Sequence, residues 1–308
     1  MNKKDIYLNK LEIIGDISDL DNNQLEFYNY DILLTQELYN NQKEEINNIN
    51  NKEEDNNNNL LSFIVSVISG ELVNDVLDLS KSDIKIFKDK INKKLEIICN
   101  NEIKEEINKV NEILNSIISD GYDLNSYLMS KGIELYDITK LSDKDLDIIM
   151  NEKIDSKTHV DRIRNNINKL FDKIKNDITL LLTGEITLEM FKTRNKINND
   201  INVFNSNRLI NDQISRKSNI AKMKWFNDNN IKEKMYNSVL CPTTCEMCEE
   251  LHGKIFNIND NMITLPLHIN CYCFWTPVIN EWNNNNTVIS WKDFRSWKEK
   301  YNRIGGDK

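Results

Sequence analysis

Five soft metal ligands fall within 29 residues of this 308-residue chain. Cys245 and Cys248 stand in Cys-Glu-Met-Cys, and His268, Cys271 and Cys273 follow in His-Ile-Asn-Cys-Tyr-Cys. A Cys-x-x-Cys pair lets two thiolates chelate one ion from a tight turn, and a second cluster brought in from a distance completes the tetrahedron that zinc prefers. Five candidates exceed four places, and Cys241 makes a sixth close by. Cys245 and Cys248 form the defined half of the site. The other half stays open between His268 with Cys271 through a turn and Cys271 with Cys273 along one face of a strand.

Other chemistries fit these residues less well. A disulfide framework needs an oxidising compartment, whereas the sequence opens Met1-Asn2-Lys3-Lys4-Asp5 with no apolar signal segment behind it. Cys99, alone beside Ile97 and Ile98, reads as a reduced, buried thiol. A catalytic zinc requires a vacant position and a placed acid or base, with Glu246, Glu249 and Glu250 as the nearby candidates. Five ligands favour a closed structural site instead. A zinc deaminase places His-x-Glu before its Cys-x-x-Cys, the reverse of the order here. His268 and Cys271 as a nucleophilic pair have no further support in the sequence. A zinc-dependent nucleic-acid module lacks the recognition-helix arrangement of a finger. His252 reads as a turn residue before Gly253, and His159 as an ordinary helix-start residue.

The elements that must position these ligands follow from periodicity and punctuation. Three prolines and eight glycines in the whole chain, with abundant Leu, Ile, Lys and Glu, predict a mainly α protein. The expected fold is a helical bundle with a small zinc-stabilised α+β module near the C-terminus. Residues 1–39 carry an irregular pattern with helical character. The Asn-rich stretch 40–59 reads as a flexible linker, and 60–152 as a helical domain interrupted by a turn at Ser119-Asp120-Gly121-Tyr122-Asp123, with Ser142 capping a short helix. Within 153–234, a helix over about 156–183 carries Val160, Ile163, Ile167, Leu170, Ile174, Ile178 and Leu181 on one stripe. A helix capped by Thr187, running through Leu188, Phe191 and Ile197, and another from about Ser206 to Asn227 complete that region. In the module 235–282, Lys254 to Ile258 alternates like a strand and Met262 to Leu265 reads as its antiparallel return. The tail 283–308 places Trp291, Phe294, Trp297 and Tyr301 among cations, as in a helix docked by its aromatics.

The net charge of −9 argues against a dedicated nucleic-acid binder. The balance is uneven, because 153–234 holds seventeen Lys or Arg against ten Asp or Glu. Interspersed ion pairs on a solvated surface account for most such segments. The apolar run from Leu60 to Ile68 is too short to span a bilayer, so a soluble protein with no membrane span is expected.

The order of features resembles the Mu F-like head-morphogenesis family of tailed phages, which are minor capsid proteins. The motif-level part is Cys245-Glu-Met-Cys248, then Leu251-His252-Gly253-Lys254-Ile255-Phe256, then Pro266-Leu267-His268-Ile269-Asn270-Cys271-Tyr272-Cys273 and Pro277. Upstream, back to about Asp155, the helix ending at Gly184, the Thr187 helix and the Arg208-Leu209-Ile210 helix follow the family's order. Ile269 and Tyr272 stand where the family often has Pro and Arg, and Asn211-Asp212-Gln213 where it often has Arg-Thr-Glu. The resemblance implies a non-enzymatic head protein with a structural Zn2+. It further implies phage portal or capsid proteins as partners, non-specific contact with packaged DNA, and residence in the virion head after assembly in the host cytoplasm.

Overall fold

The computed structural model describes residues 20–73, 76–77, 79–134, 136–238, 244–284 and 289–304. The expectation for residues 1–19 and the position of Cys241 lie outside them. The described chain is mainly helical: α1 (Asn22–Ile68), a two-stranded ribbon of β1 (Leu72–Val73) and β2 (Val76–Leu77), α2 (Lys81–Gly132), α3 (Asp143–Met150), α4 (His159–Leu182) and α5 (Leu188–Asp228). The last part holds β3 (Glu233–Asn237), α6 (Glu246–Leu251), β4 (Ile255–Asn257), β5 (Phe274–Pro277) and α7 (Trp291–Ile304). Two compact units result, one from Met1–Gln42, Ile113–Asn151 and Asn211–Lys308, the other from Lys43–Glu112 and Glu152–Ile210.

Helix starts are written locally. Thr158 and Asp161 form a capping box at α4, and Ser142 accepts from the Asp145 N–H at α3. At α1, Asp21 accepts from the N–H groups of Asn23 and Gln24 at 2.9 Å each, and the Gln24 side chain returns a bond to the Asp21 N–H. Gly184, with φ of 75°, follows α4 where a left-handed residue ends a helix.

Three stretches depart from their sequence reading. The Asn-rich stretch 40–59 is not a flexible linker but lies wholly inside α1. Gln42, Ile46, Ile49, Glu53, Leu60, Ile64 and Ile68 recur on one face and are all buried. That packed stripe outweighs the poor helix propensity of asparagine, which occupies mainly the other faces. The Ser119 to Asp123 signal is not a turn, because it sits within α2. Its polar residues seat α7 instead: Asp120 takes Arg295 at 3.1 Å and Lys298 at 2.6 Å, and Asp123 takes Lys298 at 2.8 Å. Gly121 lets α5 approach, since a Cβ there would meet the Ser218 hydroxyl at 3.2 Å. Finally, the two helices expected within 187–227 are one helix, α5, and Ile197, expected on its apolar stripe, is 52% exposed. In this part of α5 the buried face carries Asn195, Asn199, Asn202 and Ser206, while Met190, Ile197, Ile201 and Phe204 face outward.

In the second unit the polar face of α5 meets buried acids. Asn202 donates to Glu53 at 3.5 Å and Ser206 to Glu106 at 2.6 Å. Burial, then the neighbouring carboxyls, push Glu53 up to about 9 and Glu102 up to about 8, and burial also raises Glu106. Each folded-state value lies above the unfolded one, so the native state holds more protons. The resulting stabilisation is complete below the unfolded value of 4.5 and is lost as pH rises through about 8 to 9. The urea midpoint of the full chain is therefore expected to fall between about pH 5 and pH 9, and Glu53→Gln to flatten that fall. Identical pH profiles for both proteins would contradict this account.

The first unit carries the sheet. β3 is central, with β4 and β5 antiparallel on either side, in register Met235 with Ile255 and Tyr236 with Trp275. The expected return strand 262–265 does not form, because β3, from before the Cys-x-x-Cys, takes the place opposite β4. The core gathers Phe27, Tyr122, Tyr127, Trp225, Tyr236, Trp275 and Trp282. Gly132 is required where it stands, because a Cβ there would collide with the buried Trp282 indole, whose N–H donates to the Leu128 carbonyl at 2.7 Å. α7 docks as expected, with Phe294 and Trp297 each 5.6 Å from the Tyr127 ring. Lys217, Lys222 and Lys234 from the locally basic segment are buried, which reduces the cations available to any outer surface.

Candidate metal centre

Each ligand is positioned by a short local device. Cys245 is the residue preceding α6, and one helical turn places Cys248 on the same side, buried. Gly253, with φ of 78°, turns the chain from α6 into β4, and its N–H donates to the Tyr236 carbonyl at 2.9 Å. This accounts for the Gly in Leu-His-Gly-Lys. In the second cluster Asn270 takes φ of 61°, a left-handed position that asparagine tolerates, and the Cys271 N–H then reaches the His268 carbonyl at 3.1 Å. That turn folds His268 and Cys271 back toward α6. Cys273 lies next, immediately before β5.

All five sequence-predicted ligands are brought together. Cys245, Cys248 and His268 form one group and Cys248, Cys271 and Cys273 another, the ligand atoms of each lying within 4.8 Å of one another. His268 Nε2 is 3.2 Å from Cys245 Sγ and 3.3 Å from Cys248 Sγ, and Cys248 Sγ is 4.0 Å from Cys271 Sγ. The His268 Nδ1 sits 2.9 Å from the Ile269 carbonyl, to which it can only donate, so in the neutral ring Nε2 is the atom left to bind a ligand.

The electrostatics divide the four thiols. Donation from the Cys248 backbone N–H lowers the Cys245 thiol, and the Cys273 side chain, with backbone N–H donors, brings Cys271 down to about 5. Burial pushes Cys248 up to about 11, while hydrogen bonding to Cys271 and burial raise Cys273. Such a set, part ionised and part held neutral, could hold a metal cation, which would ionise the rest.

A supporting layer comes from distant sequence that spacing alone does not reveal. The Tyr236 hydroxyl donates to Cys248 Sγ at 3.4 Å. Asn219 on α5 donates to the Cys273 carbonyl at 2.9 Å and accepts from the Trp275 N–H at 3.1 Å. His252 is more than a turn residue: its Nδ1 accepts from the Ser238 N–H at 3.1 Å and its Nε2 meets the Tyr28 hydroxyl of α1 at 3.2 Å. Burial brings His252 down to about 4, so its ring is neutral. Tyr272, in the place where the resembling family often has Arg, lies 5.8 Å from the Tyr39 ring. Glu246, Glu249 and Glu250 are exposed on α6 and belong to neither ligand group. Cys99 and His159 lie in the other unit, His159 as the first residue of α4 bonded to Asn111 at 2.7 Å.

Fold and site together define a mainly helical protein whose small antiparallel sheet carries a Cys/His cluster able to hold a metal. Residues 172–276, which span the end of α4, α5, the sheet and the whole cluster, match the family described as Phage Mu protein F like protein. This agrees with the resemblance read from the motifs and supports a phage head-morphogenesis protein. Neither the curated proteins nor the solved structures provide a match. Among the described residues no helix is long and apolar enough to cross a membrane.

Proposed function

We propose that the chain is a minor capsid protein of a tailed phage, associated with the portal or the head interior, and that it acts in head assembly, DNA packaging or delivery. The carrying observation is the family match over 172–276, which takes in every member of the Cys/His cluster. The ion is zinc, because sulphur and imidazole gathered in one cluster suit it better than they suit the oxygen-preferring cations. Its part is structural. A surplus of protein ligands fills the coordination sphere, and the nearest carboxylates, Glu246, Glu249 and Glu250, point to solvent on α6. The partners are head proteins of the same particle, with any contact to DNA non-specific. Mass spectrometry of purified particles, fractionated into heads and tails, tests this. The chain is expected in the head fraction, and deletion of its gene is expected to yield defective or non-infectious heads. Absence from particles, together with normal heads after deletion, would overturn the reading.

A further inference from the structure

We propose that the outward face of α5 from Met190 to Arg208 is a docking surface for an acidic amphipathic helix of a different protein. That this protein is another component of the head rests on the reading above. Met190, Ile197, Ile201 and Phe204 follow one another at seven, four and three residues, which lines them up along one side of the helix, and each is 44% to 59% exposed. The line is about 21 Å long. Apolar side chains scattered singly over a surface need no explanation, but here the opposite face of the same helix buries Asn195, Asn199, Asn202 and Ser206. Folding alone favours the reverse arrangement. The outward line gains its burial when a second surface covers it, and its spacing is the one by which one helix seats against another. Beside it, α4 and α5 leave an open groove of about 530 Å³, with Lys173 and Asn176 on one wall and Ile197 and Asn198 on the other, which can receive a side chain of the partner. The whole surface belongs to the second unit.

Charge selects the occupant. The acids that border the line are already engaged within the chain: Asp177 with Arg194 at 3.0 Å, Asp200 with Lys196 at 3.4 Å, Glu189 with Lys192 at 2.6 Å and Asp172 with Lys175 at 4.0 Å. Two cations are left over. Among the described residues no carboxylate pairs with Lys173 beside the groove, or with Arg208, which continues the line four residues past Phe204 and lies 5.7 Å from its ring. A second copy of this face would bring cations to cations and offers no free carboxylate in return. The complement is therefore a helix from another chain, apolar at three- and four-residue spacing and flanked by Asp or Glu.

The full-length chain carrying the photoreactive residue benzoylphenylalanine in place of Phe204, produced in infected host cells and irradiated there, fixes the occupant covalently. Mass spectrometry of the joined peptides then reads its sequence. The expected adduct is to an acidic amphipathic segment of another head protein. Ile197→Gln combined with Arg208→Glu should lower the adduct yield by at least about tenfold. The urea midpoint should stay unchanged, since neither side chain is buried. An adduct between two copies of this chain, an adduct to a basic segment, no adduct, or a yield that the double variant leaves unchanged would overturn the assignment. An acidic helix captured from a protein outside the head, with the chain itself missing from the head fraction, would instead remove the head-protein reading and leave the docking surface in place.

Discussion

Chelation of the proposed zinc from the full-length chain is expected to lower its thermal midpoint by on the order of 10 °C and to expose the segment from Cys245 to Cys273 to protease. The reason is the composition of that segment. Between α6 and β5 the described chain has one three-residue strand, β4, and otherwise turns, so local hydrogen bonding holds little of it in place. Among its half-buried members, Phe256 packs on Trp275, and the buried Leu265 joins the core. A tetrahedral site can supply about 10–16 kcal/mol to a small module at neutral pH. Much of that is lost here to desolvation and to the core that remains after the metal leaves, which is why the expected shift is moderate. Cys245→Ser should reproduce the effect without chelator. Acidification should act in the same direction, because the thiolates must bind protons before the ion departs. An unchanged midpoint after verified metal removal would show that packing alone holds the segment.

Lys222→Met is expected to cost about 3–5 kcal/mol. Lys222 and Asp31 are both fully buried, with Nζ 2.7 Å from the carboxylate, and Thr276 donates to the other Asp31 oxygen at 2.6 Å. Lys222 also donates to Thr35 at 2.7 Å and lies 4.6 Å from the centre of the Phe274 ring. Burial pushes its ammonium down, and the Asp31 charge opposes that shift. Removing the cation leaves a carboxylate stranded among α1, α5 and β5 without water to solvate it. Asp31→Asn combined with Lys222→Met removes both charges and should recover most of the loss. Urea unfolding of the two variants beside the parent measures the difference. A single variant within about 1 kcal/mol of the parent would mean that the pair contributes nothing net.

The gathering of the five cysteine and histidine side chains was legible because its geometry is local. Cys-x-x-Cys needs one turn of helix, and His-x-Asn-Cys needs one left-handed residue, which Asn270 provides. Capping was legible for the same reason at Ser142 and Thr187, whereas the capping box of Thr158 and Asp161 went unread. What sequence reasoning missed depends on distant partners. The asparagines of 40–59 suggest a loop only until Ile46, Ile49 and Leu60 find a surface to cover. The polar run at Ser119 to Asp123 suggests a turn only until Arg295 and Lys298 arrive, more than 170 residues later. α5 misleads most, since apolar periodicity assigns Ile197 to the core, whereas buried acids from α1 and α2 recruit its asparagines instead. Tyr236, Asn219 and Tyr28 carry no spacing signal at all, because their value to the cluster exists only after the chain has closed.

The discontinuity of the first unit sets a timetable for synthesis. Its parts come from residues 1–42, 113–151 and 211–308, so the ribosome releases the first of the three long before its partners exist. Asp31 has no cation until α5 emerges and lacks the Thr276 donor until β5 does, and Phe27 and Tyr30 wait for Trp282. Closure of such long loops is slow, and in the interval the aromatic face of α1 is open to other chains. The second unit, whose last residue is Ile210, can be complete while the first is still waiting. Truncation at the C-terminal end therefore does more than shorten the protein: it removes the partners of parts that have already been made.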